Sequence, residues 1–271
     1  MRIGLSTSGF YGRFETEEAA EYIAALPVDC AEAFLQTPSE YTPEFAAVAR
    51  RCFGAVACTS VHPMGIQFEN SMMSLSKRQR QDAFDLFCRV LDAGKALGAE
   101  TYVYHGRSSA QLSPLPWDLQ KNLDVLGPMC ELAAQREMVI GWENVCWCQL
   151  TTPGRVREAA AALEAVRFTL DIKQAMRAGC DPFDFIAAMG GRLVNVHICD
   201  WREDGGLCLP GEGCVDFGSL FAALAQTGYD GPVIIEPYLR LIKSEDALLA
   251  SIRSMRALLE PSEKHEGGER I

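Results

Sequence analysis

Short apolar runs rich in Val, Ile and Leu alternate with longer segments of mixed polarity along almost the whole chain. An apolar run of this length, bounded by turn residues, is typical of a strand that is buried on both faces of a parallel sheet. We predict eight such strands, at residues 3–6, 30–35, 55–61, 101–104, 138–142, 168–170, 193–198 and 233–235.

The segments between these runs have the spacing of amphipathic helices. They are rich in Ala, Leu, Glu and Arg, place apolar residues three and four positions apart, and often end at a glycine such as Gly98 or Gly228. We predict eight helices, at residues 16–25, 43–52, 77–97, 119–136, 155–165, 183–190, 217–226 and 244–259. Eight strands alternating with eight helices predict a (β/α)8 TIM barrel, which suits a chain of 271 residues.

The barrel is expected to be a single domain. No internal repeat or linker divides residues 1–260, and the polar, Gly-rich residues 261–271 are predicted to be a flexible tail. A doubly wound open sheet is the competing fold, but it usually carries a glycine-rich phosphate loop after its first strand. Here that strand leads into the sequence STSGF at residues 6–10, which lacks the G-x-G-x-x-G spacing.

Composition narrows the expected partners and compartment. No apolar run reaches the roughly 18 residues of a membrane span. The N-terminus also lacks a basic region followed by an apolar stretch, so we expect a cytoplasmic protein without a membrane partner. The net charge of −11 disfavours nucleic acid, whose binding needs clustered Lys and Arg, and suits a small uncharged substrate.

The chain contains 11 cysteines, which are scattered and odd in number. They are expected to be reduced core residues of a reducing compartment. Cys146 and Cys148 form the one close pair, and two interpretations stay open for it: a zinc or redox pair, or two buried thiols.

Four of the predicted strands end in a side chain that can bind a divalent metal. The runs VIGWEN, FTLDI, LVNVHICD and VIIEPY contain Glu143, Asp171, His197 and Glu236. In a parallel barrel the carboxyl ends of all strands meet at one rim, so these side chains should lie together. Three carboxylates and an imidazole suit Mn²⁺, Mg²⁺, Co²⁺ or Zn²⁺. Taken singly, each carboxylate could instead pair with a neighbouring Arg.

Other polar side chains stand at the same predicted rim. They include Glu32, His62 and His105. Together with His197, three of the four histidines in the chain therefore lie at the ends of predicted strands. Each histidine could be satisfied by backbone carbonyls or could contact a ligand. Glu32 could bond a substrate hydroxyl or pair with Arg107.

Short motifs accompany these strand ends: His62-Pro63, His105-Gly106, Glu143-Asn144, Asp171, His197-Ile-Cys-Asp200, the segment from Pro210 to Phe217 with its Gly-x-Gly turn, and Glu236-Pro237. Together they resemble the sugar isomerase and epimerase superfamily of xylose-isomerase-like barrels, which also contains inosose dehydratases and family 2 AP endonucleases. The motifs span strands three to eight, so the resemblance covers most of the chain.

The resemblance implies that Glu143, Asp171, His197 and Glu236 bind one divalent ion, expected to be Mn²⁺ with Mg²⁺, Co²⁺ and Zn²⁺ as alternatives. In such enzymes the ion holds two neighbouring oxygens of an open-chain ketose, and Glu143 and Glu236 would be the catalytic acid and base. A proton beside a carbonyl is too weakly acidic to remove unless the charge of the enediolate is stabilised, which a divalent ion can do.

The substrate ligands are expected on the same rim. His62 and His105 fall where the family binds sugar hydroxyls. Gln174 stands where several epimerases and the endonucleases carry a histidine, and Gln149 stands where the ketose epimerases place a second glutamate. Both glutamines keep hydrogen-bonding capacity, but glutamine is a poor ligand for a second transition metal.

Several further side chains are candidates of lower rank. Arg202 is a candidate ligand for a hydroxyl or a phosphate, and Lys173 is a weaker one. Three aromatic residues could cover the apolar face of a sugar or pack locally: Phe10, Trp117 and Trp147.

We therefore predict a metal-dependent isomerase or epimerase of a sugar or polyol-derived ketose. A lyase of the inosose dehydratase kind is the nearest rival, since it would abstract the same proton. A non-catalytic sugar-binding barrel and an AP endonuclease are further rivals. The Gly205-Gly206-Leu207 sequence lacks the Asp-x-His pair that the nuclease needs for its three-metal cluster, which disfavours that activity. A homo-oligomer, either dimer or tetramer, stays open.

Overall fold

In the computed structural model, which describes residues 1–65, 68–108 and 116–259, eight parallel strands close into a barrel. The barrel strands are β1 Arg2–Ser6, β2 Cys30–Leu35, β3 Ala57–Pro63, β4 Thr101–Tyr104, β5 Val139–Glu143, β6 Arg167–Asp171, β7 Leu193–Ile198 and β10 Pro232–Ile235. Each strand pairs with its neighbours in sequence, and β10 pairs with β1 to close the circle. The predicted (β/α)8 barrel is confirmed.

The helices follow the strands and cover the outside of the barrel. The described residues form α1 Thr16–Ala24, α2 Pro43–Cys52, α3 Lys77–Leu97, α4 Leu119–Ala134, α5 Pro153–Ala162, α6 Ile172–Arg177, α7 Pro182–Met189, α8 Phe217–Gln226 and α9 Glu245–Leu259. Side-chain caps start many of them, as Thr42 does for α2 and Ser76 for α3. The longest, α3, ends at Gly98 with φ 82°, a left-handed conformation that glycine adopts without strain. None of the described helices is long and apolar enough to cross a lipid bilayer.

The core lies inside the barrel and between the barrel and its helices. Ile3 and Leu5 of β1 and Val233 and Ile235 of β10 are completely buried, although neighbouring residues of a strand point to opposite faces. Burial on both faces explains why these strands are continuous apolar runs. Each such side chain contributes roughly 1.5–3 kcal/mol to folding, which fixes the strand ends that carry the polar residues.

The structure adds two elements that the hydrophobic pattern did not predict. Helix α6 begins directly after β6, because the Oδ1 atom of Asp171 accepts the backbone N–H of Gln174 at 2.9 Å and caps the first turn. A hairpin of β8 Asp200–Trp201 and β9 Leu207–Cys208 follows β7. Both are too short to produce a periodic signal. The predicted tail, residues 261–271, lies outside the described residues.

The segment after this hairpin is held by a single buried carboxylate. Asp200 accepts four backbone N–H groups, from Trp201 at 2.8 Å, Gly211 and Gly213 at 2.9 Å and Val215 at 3.0 Å. A Cβ atom on Gly213 would lie 2.2 Å from the carbonyl oxygen of Trp201, so only glycine fits. The Gly-x-Gly turn therefore serves to pack this loop against the end of β7.

Replacing Gly213 with Ala should lower the free energy of unfolding by about 1–3 kcal/mol, because the added methyl group overpacks a site closed by backbone. Urea denaturation followed by circular dichroism would measure the change. Gly154→Ala in the first turn of α5 is the matched control, since a Cβ added there would make only an ordinary van der Waals contact, with Thr152 Oγ1 at 3.8 Å. The control should be more stable than the wild type by roughly 0.5–1 kcal/mol, and equal destabilisation by both substitutions would contradict this account.

Candidate active site

The strand ends bring together the four side chains that the sequence singled out as metal ligands. Glu143 and Asp171 are the last residues of β5 and β6, His197 is the next to last of β7, and Glu236 follows β10. One ligand atom from each lies within 4.8 Å of the ligand atoms of the others. Glu143, Asp171 and His197 are buried, and the side chain of Glu236 is 13% exposed.

The donor set fits a divalent cation. The Oδ2 atom of Asp171 is buried and receives no hydrogen bond from the described residues, because Oδ1 is the atom that caps α6. A buried carboxylate oxygen without a hydrogen bond is costly unless a cation neutralises it. Three carboxylates and one imidazole converging on a small volume are the donors that Mn²⁺, Co²⁺ and Zn²⁺ accept.

The imidazole of His197 is oriented by Glu32. His197 Nε2 lies 2.9 Å from Glu32 Oε2, while Nδ1 points toward Glu143 Oε1 at 3.3 Å and Glu236 Oε2 at 3.6 Å. Glu32 is completely buried on β2 and accepts further hydrogen bonds from Ser6 at 3.1 Å, Ser60 at 2.7 Å and Asn195 at 3.0 Å. The sequence suggested a substrate hydroxyl or Arg107 as its partner, and this expectation was wrong. Glu32 holds the histidine ring so that Nδ1 faces the other three ligands.

Two more histidines surround Glu143. His105 Nε2 lies 2.9 Å and His62 Nε2 lies 3.7 Å from Glu143 Oε2, and the two rings are 4.6 Å apart. The other nitrogen of His62, Nδ1, lies 3.0 Å from the carbonyl oxygen of Pro63, which fixes the ring. His62, His105 and Glu143 thus form a second group whose ligand atoms lie within 4.8 Å of one another.

A buried lysine, Lys173, forms ion pairs with two of these carboxylates. The ammonium of Lys173 lies 3.0 Å from Glu236 Oε2 and 3.3 Å from Asp171 Oδ2, and its side chain is 5% exposed. It also lies 5.1 Å from the ring centroid of Tyr238. Lys173 was a weak candidate in the sequence, where its place two residues after Asp171 was the available signal.

The charges within this network shift the pKa values of its members. Burial lowers the pKa of His62, but the hydrogen bond to Glu143 and the nearby carboxylates outweigh it and raise the value to about 9. Burial opposes ionisation of Glu32, yet the charge of His197 and its hydrogen bond hold the pKa at about 2. Burial raises the pKa of Asp171 to about 6, with the neighbouring glutamates adding to the shift and Lys173 opposing it.

The pKa values of Glu143 and Glu236 are lowered, in contrast to that of Asp171. Burial alone would raise the pKa of Glu143, but the charge of His105 and hydrogen bonds from three histidines keep it well below its usual range. Burial would also raise the pKa of Glu236, but the charges of Lys173 and His197 outweigh this effect and lower it. Without a metal ion, the carboxylates of Glu32, Glu143 and Glu236 are therefore ionised, and His62, His197 and Lys173, whose pKa values are raised, are protonated.

A cavity of about 210 Å³ opens onto these residues. This volume is below the roughly 300–1,000 Å³ of pockets for drug-sized ligands, which suits a compact ligand. Part of its wall is aromatic, formed by Tyr11, Phe34, Trp147 and Tyr238. The polar part includes Ser8, His62, His105, Lys173 and Gln174 together with Glu143, Asp171 and Glu236.

Some of the side chains expected to bind substrate lie elsewhere. Gln149 is buried and its amide donates to the carbonyl oxygen of Pro116 at 3.4 Å. Arg202 lies on the hairpin after β7, where its guanidinium pairs with Glu212 at 3.2 Å. Neither side chain is among the residues that line the cavity.

Of the remaining aromatic and cysteine candidates, one lines the cavity and the others do not. Trp147 lines the cavity, whereas Phe10 is buried in the core and Trp117 stacks on Trp142 at 6.0 Å. The thiols of Cys146 and Cys148 are both free, and burial raises the pKa of each. A raised pKa keeps a thiol protonated, which disfavours the zinc or redox interpretation of this pair.

The protonation of His62 should make the stability of the metal-free protein depend on pH. Its folded pKa of about 9 exceeds the ordinary 6.5, so its stabilisation is fully present below about pH 6.5 and is lost as the pH rises through 9. His62→Gln should therefore cost roughly 1–3 kcal/mol of unfolding free energy at about pH 6 and much less at about pH 10. Urea unfolding of chelator-treated protein measures this, and a cost that is equal at both pH values would refute it.

Comparison with known proteins agrees with this architecture. The L-ribulose-5-phosphate 3-epimerase UlaE of Salmonella paratyphi C is 41% identical over 64 residues, which cover 23% of this chain and 22% of that protein. The D-psicose 3-epimerase of Clostridium cellulolyticum H10, solved with D-tagatose, superposes with a TM-score of 0.76 at 18% identity, covering 96% of this chain and 100% of that one. The IolI protein, solved with a zinc atom, superposes with a TM-score of 0.73 at 15% identity over 96% of each chain.

The family follows from a match that covers most of the sequence. At these identities the solved structures establish the fold, and the short epimerase match covers less than a quarter of the chain. Residues 20–258, by contrast, match the sequence model of a single family. The chain belongs to the family of xylose isomerase-like TIM barrels.

Proposed function

We propose that the protein is a metal-dependent isomerase or epimerase of a sugar or polyol-derived ketose, which moves a proton at the carbon beside the carbonyl group. The observation that carries this proposal is the convergence of ligand atoms from Glu143, Asp171, His197 and Glu236 within 4.8 Å of one another. Glu143, Asp171 and Glu236 also line a compact cavity. Membership of the xylose isomerase-like family and the likeness to solved ketose 3-epimerases support the same reaction class.

The four converging residues would hold one divalent ion, with Mn²⁺ expected first and Mg²⁺, Co²⁺ or Zn²⁺ as alternatives. A bound divalent ion supplies positive charge that stabilises the negative charge developing on a carbonyl oxygen when the neighbouring proton is removed. The buried Oδ2 atom of Asp171, which receives no hydrogen bond from the described residues, supports the assignment, as does the zinc atom in the crystal structure of the IolI protein, which has a similar fold.

Glu143 and Glu236 are the proposed acid and base, while Asp171 and His197 act as ligands only. Both glutamates line the cavity, and in the metal-free site the pKa of each lies below its usual range, so both are ionised. Glu236 is the more accessible of the two, and its Oε1 atom accepts a long hydrogen bond from Ser8, at 3.4 Å. A carboxylate that is accessible from the cavity can reach a proton of a bound ligand, which general-base catalysis requires.

The walls of the cavity suit a polyhydroxylated ligand. The Oε1 atom of Gln174 is buried without a hydrogen bond from the described residues, so a substrate hydroxyl could donate to it. His62 and His105 offer further polar contacts, and the rings of Phe34 and Trp147 offer apolar faces for C–H groups. The observed contacts of Gln149 and Arg202 do not support the substrate-binding roles expected for them.

Replacing Glu236 with Gln should abolish proton exchange while leaving the fold intact, because the amide cannot accept a proton from carbon. The measurement is deuterium incorporation from D₂O into a panel of ketoses by the Mn²⁺-loaded protein, read by NMR. The loss should exceed about 100-fold, which is the usual contribution of a general base. Glu131→Gln on the exposed face of α4 is the matched control and should exchange at the wild-type rate.

The same experiment separates the rival functions. Unchanged exchange in the Glu236 variant would overturn the proposed acid and base. Formation of an absorbing enone or diketone by the wild type would instead indicate a dehydratase. Tight metal and sugar binding without exchange would indicate a sugar-binding barrel.

Replacing Glu32 with Gln should weaken Mn²⁺ binding by roughly 10–100-fold, because the histidine would lose the carboxylate that orients its ring. Isothermal titration of chelator-treated protein with Mn²⁺ would measure the effect. Glu40→Gln is the matched control, since Glu40 is also a buried carboxylate but accepts hydrogen bonds from Gln36 and Thr16. Similar losses of affinity in both variants would show that general destabilisation, and not Glu32, is responsible.

A further inference from the structure

Lys173 occupies an unusual place for a lysine. It lies in the first turn of α6, two residues after the metal-site residue Asp171, and its side chain turns back into the barrel mouth. Only 5% of that side chain is exposed, whereas lysine is almost never buried unless it is paired. An ammonium at this depth is retained because nearby carboxylates compensate for its lost hydration.

The partners of this ammonium are two of the four proposed metal ligands. Its Nζ atom lies 3.0 Å from Glu236 Oε2 and 3.3 Å from Asp171 Oδ2, so one positive charge is shared by both carboxylates. Asp171 Oδ2 receives no hydrogen bond from the described residues, which leaves this ion pair as its source of compensation. Lys173 thus neutralises the same pair of carboxylates that a divalent ion would.

A metal ion and the ammonium would compete for these oxygens. Divalent ions bind carboxylate oxygens at about 2.0–2.2 Å, and the ammonium of Lys173 already lies against one oxygen of each carboxylate, Glu236 Oε2 and Asp171 Oδ2. Two cations on one pair of oxygens also repel each other strongly where water is excluded. We propose that Lys173 is a resident cation of the metal centre, which stabilises the metal-free site and must leave Asp171 and Glu236 when a divalent ion binds.

This inference rests on the metal site of the proposed function and adds a residue that sets its affinity. The ring of Tyr238, with its centroid 5.1 Å from Nζ, already contributes a cation–π contact to the ammonium. It offers the ammonium a favourable contact that does not involve the carboxylates. The metal-free protein is then stable, but each ion that binds has to displace a well-paired charge.

Lys173→Met tests the inference, because it keeps an unbranched side chain of similar length and removes the charge. We expect Mn²⁺ to bind the variant about tenfold or more tightly than the wild type, since the competing cation is gone. Titration calorimetry on chelator-treated protein would measure the affinity. The midpoint of thermal unfolding should also fall in the metal-free variant and recover when Mn²⁺ is added.

Lys95→Met is the matched control, because Lys95 forms an exposed ion pair with Glu137 outside the cavity. It should leave the Mn²⁺ affinity unchanged. Lys173→Gln provides a second neutral variant in case Lys173→Met does not fold. A crystal structure of the wild type with Mn²⁺ adds an independent readout, in which Lys173 should no longer contact both Asp171 and Glu236.

The outcomes separate this inference from the proposed function. If the wild type binds Mn²⁺ and the neutral variants bind it equally or more weakly, Lys173 does not compete and the inference is wrong while the metal site stands. If neither the wild type nor the variants bind Mn²⁺, the metal site and the inference both fail. Tighter binding by the Lys173 variants alone supports both.

Discussion

The concentration of negative charge at one end of the barrel is the constraint on which the site depends. Glu32, Glu143, Asp171 and Glu236 are carboxylates on four different strands or strand ends, and most of their surface is inaccessible to water. Buried carboxylates repel one another and take up protons unless cations compensate for them. Three histidines and Lys173 provide that compensation within hydrogen-bonding or ion-pairing distance. A divalent ion would therefore enter a centre whose carboxylates already have cationic partners, among them Lys173 and His197.

Some side chains at this end of the barrel both stabilise the local fold and position the site. Asp171 caps α6 with Oδ1 and presents Oδ2 to the centre, so the helix start and the ligand position are fixed together. Asn144 follows Glu143 and bonds reciprocally with the backbone of Asp171, donating to its carbonyl oxygen at 2.9 Å and accepting its N–H at 2.7 Å. The ends of β5 and β6 are thereby locked in register, which explains why an asparagine follows the glutamate in this motif.

Two features of this structure could be predicted from sequence: the strands, from runs of apolar residues, and the site residues, from polar residues at the ends of those runs. Eight apolar runs indicated the eight barrel strands, and a polar residue at the end of a run indicated each of the four converging side chains. The bond between Glu32 and His197 could not be read in this way, because it joins side chains 165 positions apart and depends on barrel register. Arg202 was misplaced for a related reason: the two-residue strands that carry it outward leave no hydrophobic pattern.

Glu143 belongs to both groups of potential metal ligands, and this limits how many ions the site can hold. His62 and His105 form a second potential metal group with Glu143, but Glu143 is the only carboxylate of that group. The group of Glu143, Asp171, His197 and Glu236 contains three carboxylates, so a first cation gains more electrostatic stabilisation there. Once Glu143 binds that ion, the second group retains two histidines and no further carboxylate, and so has little attraction for another cation. His62 and His105 are then better suited to hold substrate oxygens than a second metal, which agrees with a mononuclear centre.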